Sequence, residues 1–186
     1  MKTKRAVLQG FTTIELLIVV VVGGLLAAIA VPSLRDALNS MRQASAASLL
    51  LGDLNLARGE AIKRNAQMLI CGRDAAGTDC GVPLVLPNGL LLPNGLFDWR
   101  AGWVVCIKAV GTDTCAVGTL TNPNPITVRP PVDNSLIVGA SGAAIRFNPN
   151  SSQGDPGNVA NVAVGGTWSG ATQRTLTIAA TGNISK

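Results

Sequence analysis

Gly10-Phe11-Thr12-Thr13-Ile14-Glu15-Leu16-Leu17-Ile18-Val19 decides how this chain is organised. Ahead of it stand Lys2, Lys4 and Arg5, and after Glu15 no charged residue occurs until Arg35. The order is a basic leader, a glycine, a phenylalanine, one acid and a long apolar run. Phe11 to Val31 is 21 residues, and a helix of that length covers roughly 30 Å, the thickness of a bilayer's hydrocarbon core. The stretch therefore predicts a single membrane-spanning helix with one carboxylate near its start.

That carboxylate needs a reason. Placing an acid at mid-membrane costs on the order of 3 kcal/mol, less near the interface, so Glu15 is expected either to sit shallow or to meet a cation supplied by a partner. The nearest natural cation is an α-amine. Lys2, Lys4 and Arg5 have the simpler task of holding the start of the span in the cytoplasm by the positive-inside rule.

The quoted segment resembles the class III signal of type IV pilins and pseudopilins. The resemblance implies cleavage by a prepilin peptidase after Gly10 and N-methylation of Phe11 as the mature N-terminus. It also implies that Glu15 attracts the free amine of an adjacent subunit during filament assembly. Thr13 stands where leucine is commoner in that family. Two other readings fit part of the text. A Sec signal peptide would share the basic start and would end at a small-residue site, for which Ala27, Ala28 and Ala30 qualify. An ordinary single-pass anchor fits the length but leaves Glu15 unexplained.

Beyond the bilayer the helix is expected to continue through Pro32, which in pilins marks a local kink or loosening at this distance from the mature start. Apolar residues recur at Leu34, Leu38, Met41, Ala44, Ala47, Leu50, Leu54, Ala57 and Ala61. Spacings of three and four put them on one helix face, expected to pack on a globular head. Arg35, Asp36, Arg42, Asp53, Arg58, Glu60, Lys63 and Arg64 are assigned to the opposite, solvated face. Gly52 and Gly59 weaken the helix by nearly 1 kcal/mol each relative to alanine, a cost read as permitting close approach to the sheet.

About 120 residues follow, room for one modest head. With 21 glycines and 10 prolines but abundant Val, Ile and Leu, the text reads as loop-rich β structure, not disorder. Strand candidates are Gln67 to Cys71, Gly102 to Lys108, Ile126 to Arg129, Ser135 to Val138, Ala144 to Phe147, Val159 to Val164 and Arg174 to Ala180. The expected fold is α+β: a long N-terminal helix packed on two small antiparallel sheets, as in a pilin. Leu86-Pro87-Asn88-Gly89-Leu90 and Leu92-Pro93-Asn94-Gly95-Leu96 form a short repeat with Asn-Gly turn signals and read as a loop. The expected divisions are the leader at 1–10, the transmembrane half-helix at 11–33, the amphipathic half at 34–66 and the head at 67–186.

Cys71, Cys80, Cys106 and Cys115 form two pairs, each interval containing a Gly-Thr-Asp turn. Zinc ligands usually come two to four residues apart and often with histidine, whereas this chain has no histidine. Disulfides Cys71 to Cys80 and Cys106 to Cys115 are the expected connectivity of the three possible. They place the head in an oxidising compartment such as the periplasm.

Leu56-Ala57-Arg58-Gly59-Glu60-Ala61-Ile62-Lys63-Arg64-Asn65, then Leu69-Ile70-Cys71, and Trp99-Arg100-Ala101-Gly102-Trp103-Val104-Val105 resemble the GspH/FimT/FimU group of minor pilins and pseudopilins. That resemblance implies a structural subunit that primes or caps a type IV pilus filament. It also implies other minor and major pilins or pseudopilins, the prepilin peptidase and the inner membrane as partners, with no cofactor. The H-type pseudopilin of type II secretion is one alternative.

A DNA receptor in natural transformation, as some FimT proteins are, is the other. Those proteins carry closely spaced arginines after a glycine at the extreme C-terminus, but this chain ends Thr181-Gly182-Asn183-Ile184-Ser185-Lys186. Arg129, Arg146, Arg174 and Lys186 could still gather, yet phosphate affinity needs clustered cations and aromatic stacking platforms are few. The overall charge of +5 is no argument for an acidic partner, because losing the leader leaves 12 cations against 10 anions. Catalysis finds no support: without histidine there is no Ser-His-Asp or Cys-His arrangement, and Gly139-Ala140-Ser141-Gly142-Ala143 lacks the final glycine of a nucleophile elbow.

Overall fold

The computed structural model describes residues 12–73, 80, 96–116, 125–154 and 159–186. It divides into two compact units, one ending at Leu38 and one running Asn39–Lys186. The one α-helix among the described residues, α1 (Thr13–Arg64), begins in the first unit and ends in the second. Pro32 lies inside it and does not terminate it.

In the first unit every helical side chain is exposed, including Ile14, Leu16, Leu17, Ile18, Val19, Leu25, Leu26 and Ile29. The helix contains a window with a mean hydropathy of 2.8, and by length and composition it can cross a membrane. Uniformly apolar circumference is the pattern of a helix whose surroundings are themselves apolar.

In the second unit α1 becomes one-sided. Ala47, Leu50, Leu54, Ala57 and Ala61 are buried at spacings of three and four. Fully burying a leucine such as Leu50 or Leu54 contributes about 1.5–3 kcal/mol. The expected stripe is thus correct from Ala47 onward, but Leu34, Leu38 and Met41 are exposed. The helix stops at Asn65, whose φ of 48° takes the left-handed conformation asparagine tolerates. The N–H of Ala66 then donates to Ala61 O and that of Asn65 to Ile62 O, a Schellman closure of the last turn.

Among the described residues, nine strands form two antiparallel sheets. β1 (Met68–Gly72), β3 (Trp103–Ile107), β4 (Thr127–Val128) and β6 (Ala144–Phe147) make the first, in the order β4-β3-β1-β6. β2 (Phe97–Asp98), β5 (Leu136–Ala140), β7 (Ala160–Gly166), β8 (Arg174–Ile178) and β9 (Ile184–Ser185) make the second, in the order β2-β5-β7-β8-β9. All seven strand candidates correspond to strands. β2 and β9 were not expected: two residues each is too short for alternation to register.

One core joins α1 to both sheets: Leu50, Leu54, Met68, Ile70, Trp99, Trp103, Val105, Phe147, Val162, Leu176 and Ile178 belong to the same buried cluster. Leu69, Cys71, Val104 and Cys106 form a separate one on the other face of the first sheet. Strand alternation explains the division, since odd and even positions of β1 point to opposite faces. The Leu86 to Leu96 repeat lies almost wholly outside the described residues.

Candidate functional site

At the start of α1, Thr12 precedes the first helical residue and its Oγ1 accepts the backbone N–H of Glu15 at 3.3 Å. Thr12 O accepts the N–H groups of Glu15 and Leu16 at 3.1 and 3.2 Å. Thr12-x-x-Glu15 is therefore one half of a capping box, with the threonine at the cap and the glutamate three residues on. The first-turn position also suits a carboxylate electrostatically, because unpaired N–H groups give a helix start partial positive charge. The threonine cap was legible in the residue types but was missed beside the larger signal of Glu15. Gly10 and Phe11 lie outside the described residues.

In the second unit the helix carries a polar anchor on its packed face. Asp53 is buried, which corrects its assignment to the solvated side. Its Oδ2 accepts Trp103 Nε1 at 2.8 Å and Arg129 Nε at 2.8 Å, and its Oδ1 accepts Arg129 Nη2 at 2.8 Å. A carboxylate can be buried when its charge is matched and its lone pairs are filled. Hydrogen bonding to Asp53 holds the Arg129 guanidinium above its ordinary pKa against the opposing effect of burial.

Gly102 supports this anchor. Its φ is 100°, and a Cβ there would stand 2.2 Å from Arg129 O, so only glycine lets β3 begin against the segment that carries Arg129. Gln43, also buried, donates Nε2 to Val164 O at 2.7 Å and to Thr172 O, tying α1 to the second sheet. By contrast Gly52 and Gly59 face away from the head, with nothing within 4 Å of an added Cβ. The expectation that they admit the sheet is therefore wrong.

Disulfides join Cys71 to Cys80 and Cys106 to Cys115, with Cα separations of 5.4 and 5.6 Å. Cys71 and Cys106 are fully buried, while Cys80 and Cys115 are half-buried. All four belong to the small cluster on the outer face of the first sheet.

The basic residues do not gather as one group. Arg129 is engaged by Asp53, and Arg146 pairs with Asp113, its Nε donating at 2.9 Å. Arg174 and Lys186 share a groove of about 280 Å³ with Ala44, Ala47, Ser48 and Leu176. Two of the four cations singled out in the sequence are thus spent on carboxylates.

Residues 46–182 match the family model of the type II transport protein GspH. Two crystal structures of the type IV minor pilin FimU of Pseudomonas aeruginosa strain PAO1, in space groups P21 and P65, share the fold. The chain is 19% and 20% identical to them, with TM-scores of 0.52 and 0.50; 76% of this chain is covered in both, and 84% and 89% of those chains. No curated protein matches the chain at a significant level.

Proposed function

The chain belongs to the GspH family and is a minor pilin or pseudopilin, and from that premise we propose that it primes or caps a type IV pilus filament. It is made with a leader at 1–10, which prepilin peptidase removes after Gly10, and Phe11 becomes the N-methylated mature terminus. The apolar half of α1 crosses the inner membrane once, with the head in the periplasm, until the subunit is drawn into a fibre. Its partners are other pilins or pseudopilins. Its work is structural, without catalysis or cofactor.

One observation carries this reading: a single acid in the first turn of a helix that is otherwise apolar up to Arg35. Because nothing else in the exposed span is charged, the lowest-cost environment for Glu15 is beside a cation at the same depth in a bundle of like helices. The α-amine of a neighbour's Phe11, four residues away in register, meets that requirement. Glu15→Ala should be cleaved and inserted normally yet be absent from sheared filaments, while Gly10→Val should leave an uncleaved, heavier band in the membrane. Normal recovery of Glu15→Ala in the fibre fraction would contradict the assigned role.

A second reading, the H-type pseudopilin of type II secretion, is favoured by the description of the matching family itself. Deletion separates the two, since loss of surface pili marks the first and loss of an exported enzyme the second. DNA reception receives no such support, given that Arg129 and Arg146 are held by acids.

A further inference from the structure

The two disulfides are neighbours. On β1 and β3 the register sets Leu69 opposite Cys106 and Cys71 opposite Val104, so Cys71 and Cys106 are diagonal partners on one sheet face. Cys80 is bridged to Arg73 and Cys115 to Lys108 just beyond the strand ends, which folds both half-buried cysteines back over that face. The Sγ atoms of Cys80, Cys106 and Cys115 all lie within 4.8 Å of one another. The sulphur of one bridge thus hangs beside both sulphurs of the other.

We propose that the four cysteines form one thiol–disulfide exchange site, with Cys80 as its attacking sulphur and a dithiol, free or carried by an oxidoreductase, as its reaction partner. Accessibility sets the order of events, because exchange proceeds by thiolate attack on a sulphur that can be reached. A thiolate of the dithiol attacks Cys80 Sγ, because an attacker from solvent approaches the half-buried cysteine of the bridge and not the fully buried Cys71, and Cys71 departs as a thiolate and is protonated. The second thiol of the dithiol attacks the reductant's own sulphur, closing the reductant's disulfide and releasing Cys80 as a thiolate. Two electrons have then passed from the dithiol to the Cys71–Cys80 bond.

Cys80 next attacks Cys106 Sγ. The Cys80–Cys106 bond forms, the Cys106–Cys115 bond breaks, and Cys115 leaves with the electron pair and takes a proton from water. Cys80 already lies beside both sulphurs of the second bridge, so reach from solvent no longer decides and the leaving group does: Cys115 is half-buried where Cys106 is fully buried, and a thiolate is less costly where water reaches it. This second step involves no net oxidation. It converts two local clips into one bridge between Cys80 and strand β3, and it frees the turn that carries the fully exposed Val110.

The test uses the full chain in detergent micelles, treated with limiting dithiothreitol at pH 8, quenched with acid, alkylated with N-ethylmaleimide and mapped by mass spectrometry without reduction. Peptides joined through Cys80–Cys106, with Cys71 and Cys115 alkylated, are expected. Finding only the original bridges beside alkylated Cys71 and Cys80, or a Cys80–Cys115 bridge, would overturn the assignment. Two variants need no reductant: Cys71→Ser leaves Cys80 as the odd thiol, and Cys80→Ser leaves Cys71, which is outside the group of three close sulphurs. At least about tenfold more rearranged bridge is expected in Cys71→Ser, since exchange needs the attacking thiolate beside the sulphur it attacks and only Cys80 lies within 4.8 Å of both sulphurs of the other bridge. Equal rearrangement in both variants would mean that a loosened head, not the placement of Cys80, permits exchange.

Discussion

Arg129→Met is expected to cost far more than Asp53→Asn, although both break the same ion pair. The Asp53 side chain is 4% exposed and that of Arg129 32%. Removing the guanidinium leaves a buried carboxylate with Trp103 Nε1 as its one remaining partner from this site. Breaking a buried pair in this way costs about 3–5 kcal/mol, and the partial exposure of Arg129 argues for the lower end. Asp53→Asn strands the other partner instead. Its guanidinium already touches water and the amide oxygen can still accept from Trp103, so a loss of about 1–2 kcal/mol is expected. For a domain of this size 1 kcal/mol shifts the midpoint by about 2–4 °C, so the variants should melt roughly 6–12 °C and 2–8 °C below the parent. Urea unfolding in micelles followed by the fluorescence of buried Trp99 and Trp103 gives both values, with the disulfides intact. Equal losses, or a loss under about 1 kcal/mol for Arg129→Met, would refute the claim that burial of Asp53 decides the asymmetry.

Other perturbations probe neighbouring features. Gln43→Met removes the two hydrogen bonds that Nε2 donates to the carbonyls of Val164 and Thr172 and should cost about 1–3 kcal/mol in the same unfolding assay. Gly102→Ala should lose more than the roughly 1 kcal/mol of an ordinary left-handed position, because the obstruction is the backbone carbonyl of Arg129 and cannot rotate away. The Arg146 guanidinium, and secondarily Lys108, hold the Asp113 carboxyl below the usual carboxylate range. A depressed pKa stabilises the fold above the unfolded value of about 3.9 and loses that contribution as pH falls through the folded value. Arg146→Gln should therefore be less stable than the parent at pH 6, by no more than about 1 kcal/mol since Asp113 is half exposed, and the gap should close in acid. A difference that persists at pH 2 would point to lost packing instead of lost charge.

The apolar run, the helix and seven of the nine strands among the described residues were legible because each rests on a local periodicity. Asp53 was not. At its position a charged residue on an amphipathic helix is normally solvated, and only the fold brings Trp103 and Arg129, 50 and 76 residues away in sequence, close enough to reverse that expectation. Gly52 and Gly59 were misassigned for the converse reason: a glycine's missing side chain does not say which side of the helix needs the space. The short strands β2 and β9 exist because longer neighbours, β5 and β8, offer edges to pair with, and a two-residue segment holds no pattern of its own.

Strand β1 lies between β3 and β6, so it pairs with Trp103–Ile107 on one edge and with Ala144–Phe147 on the other. A chain that emerges amino end first from a ribosome or a translocation channel must therefore deliver about four-fifths of its length before this sheet can close. Until then β1 offers an open hydrogen-bonding edge to any passing strand. The crosslinks, each spanning a separation of 9 residues, are under no such delay and can be set early. Order of arrival thus separates what is fastened locally from what must wait, and the most vulnerable interval of this protein's life is the passage of residues 73 to 147.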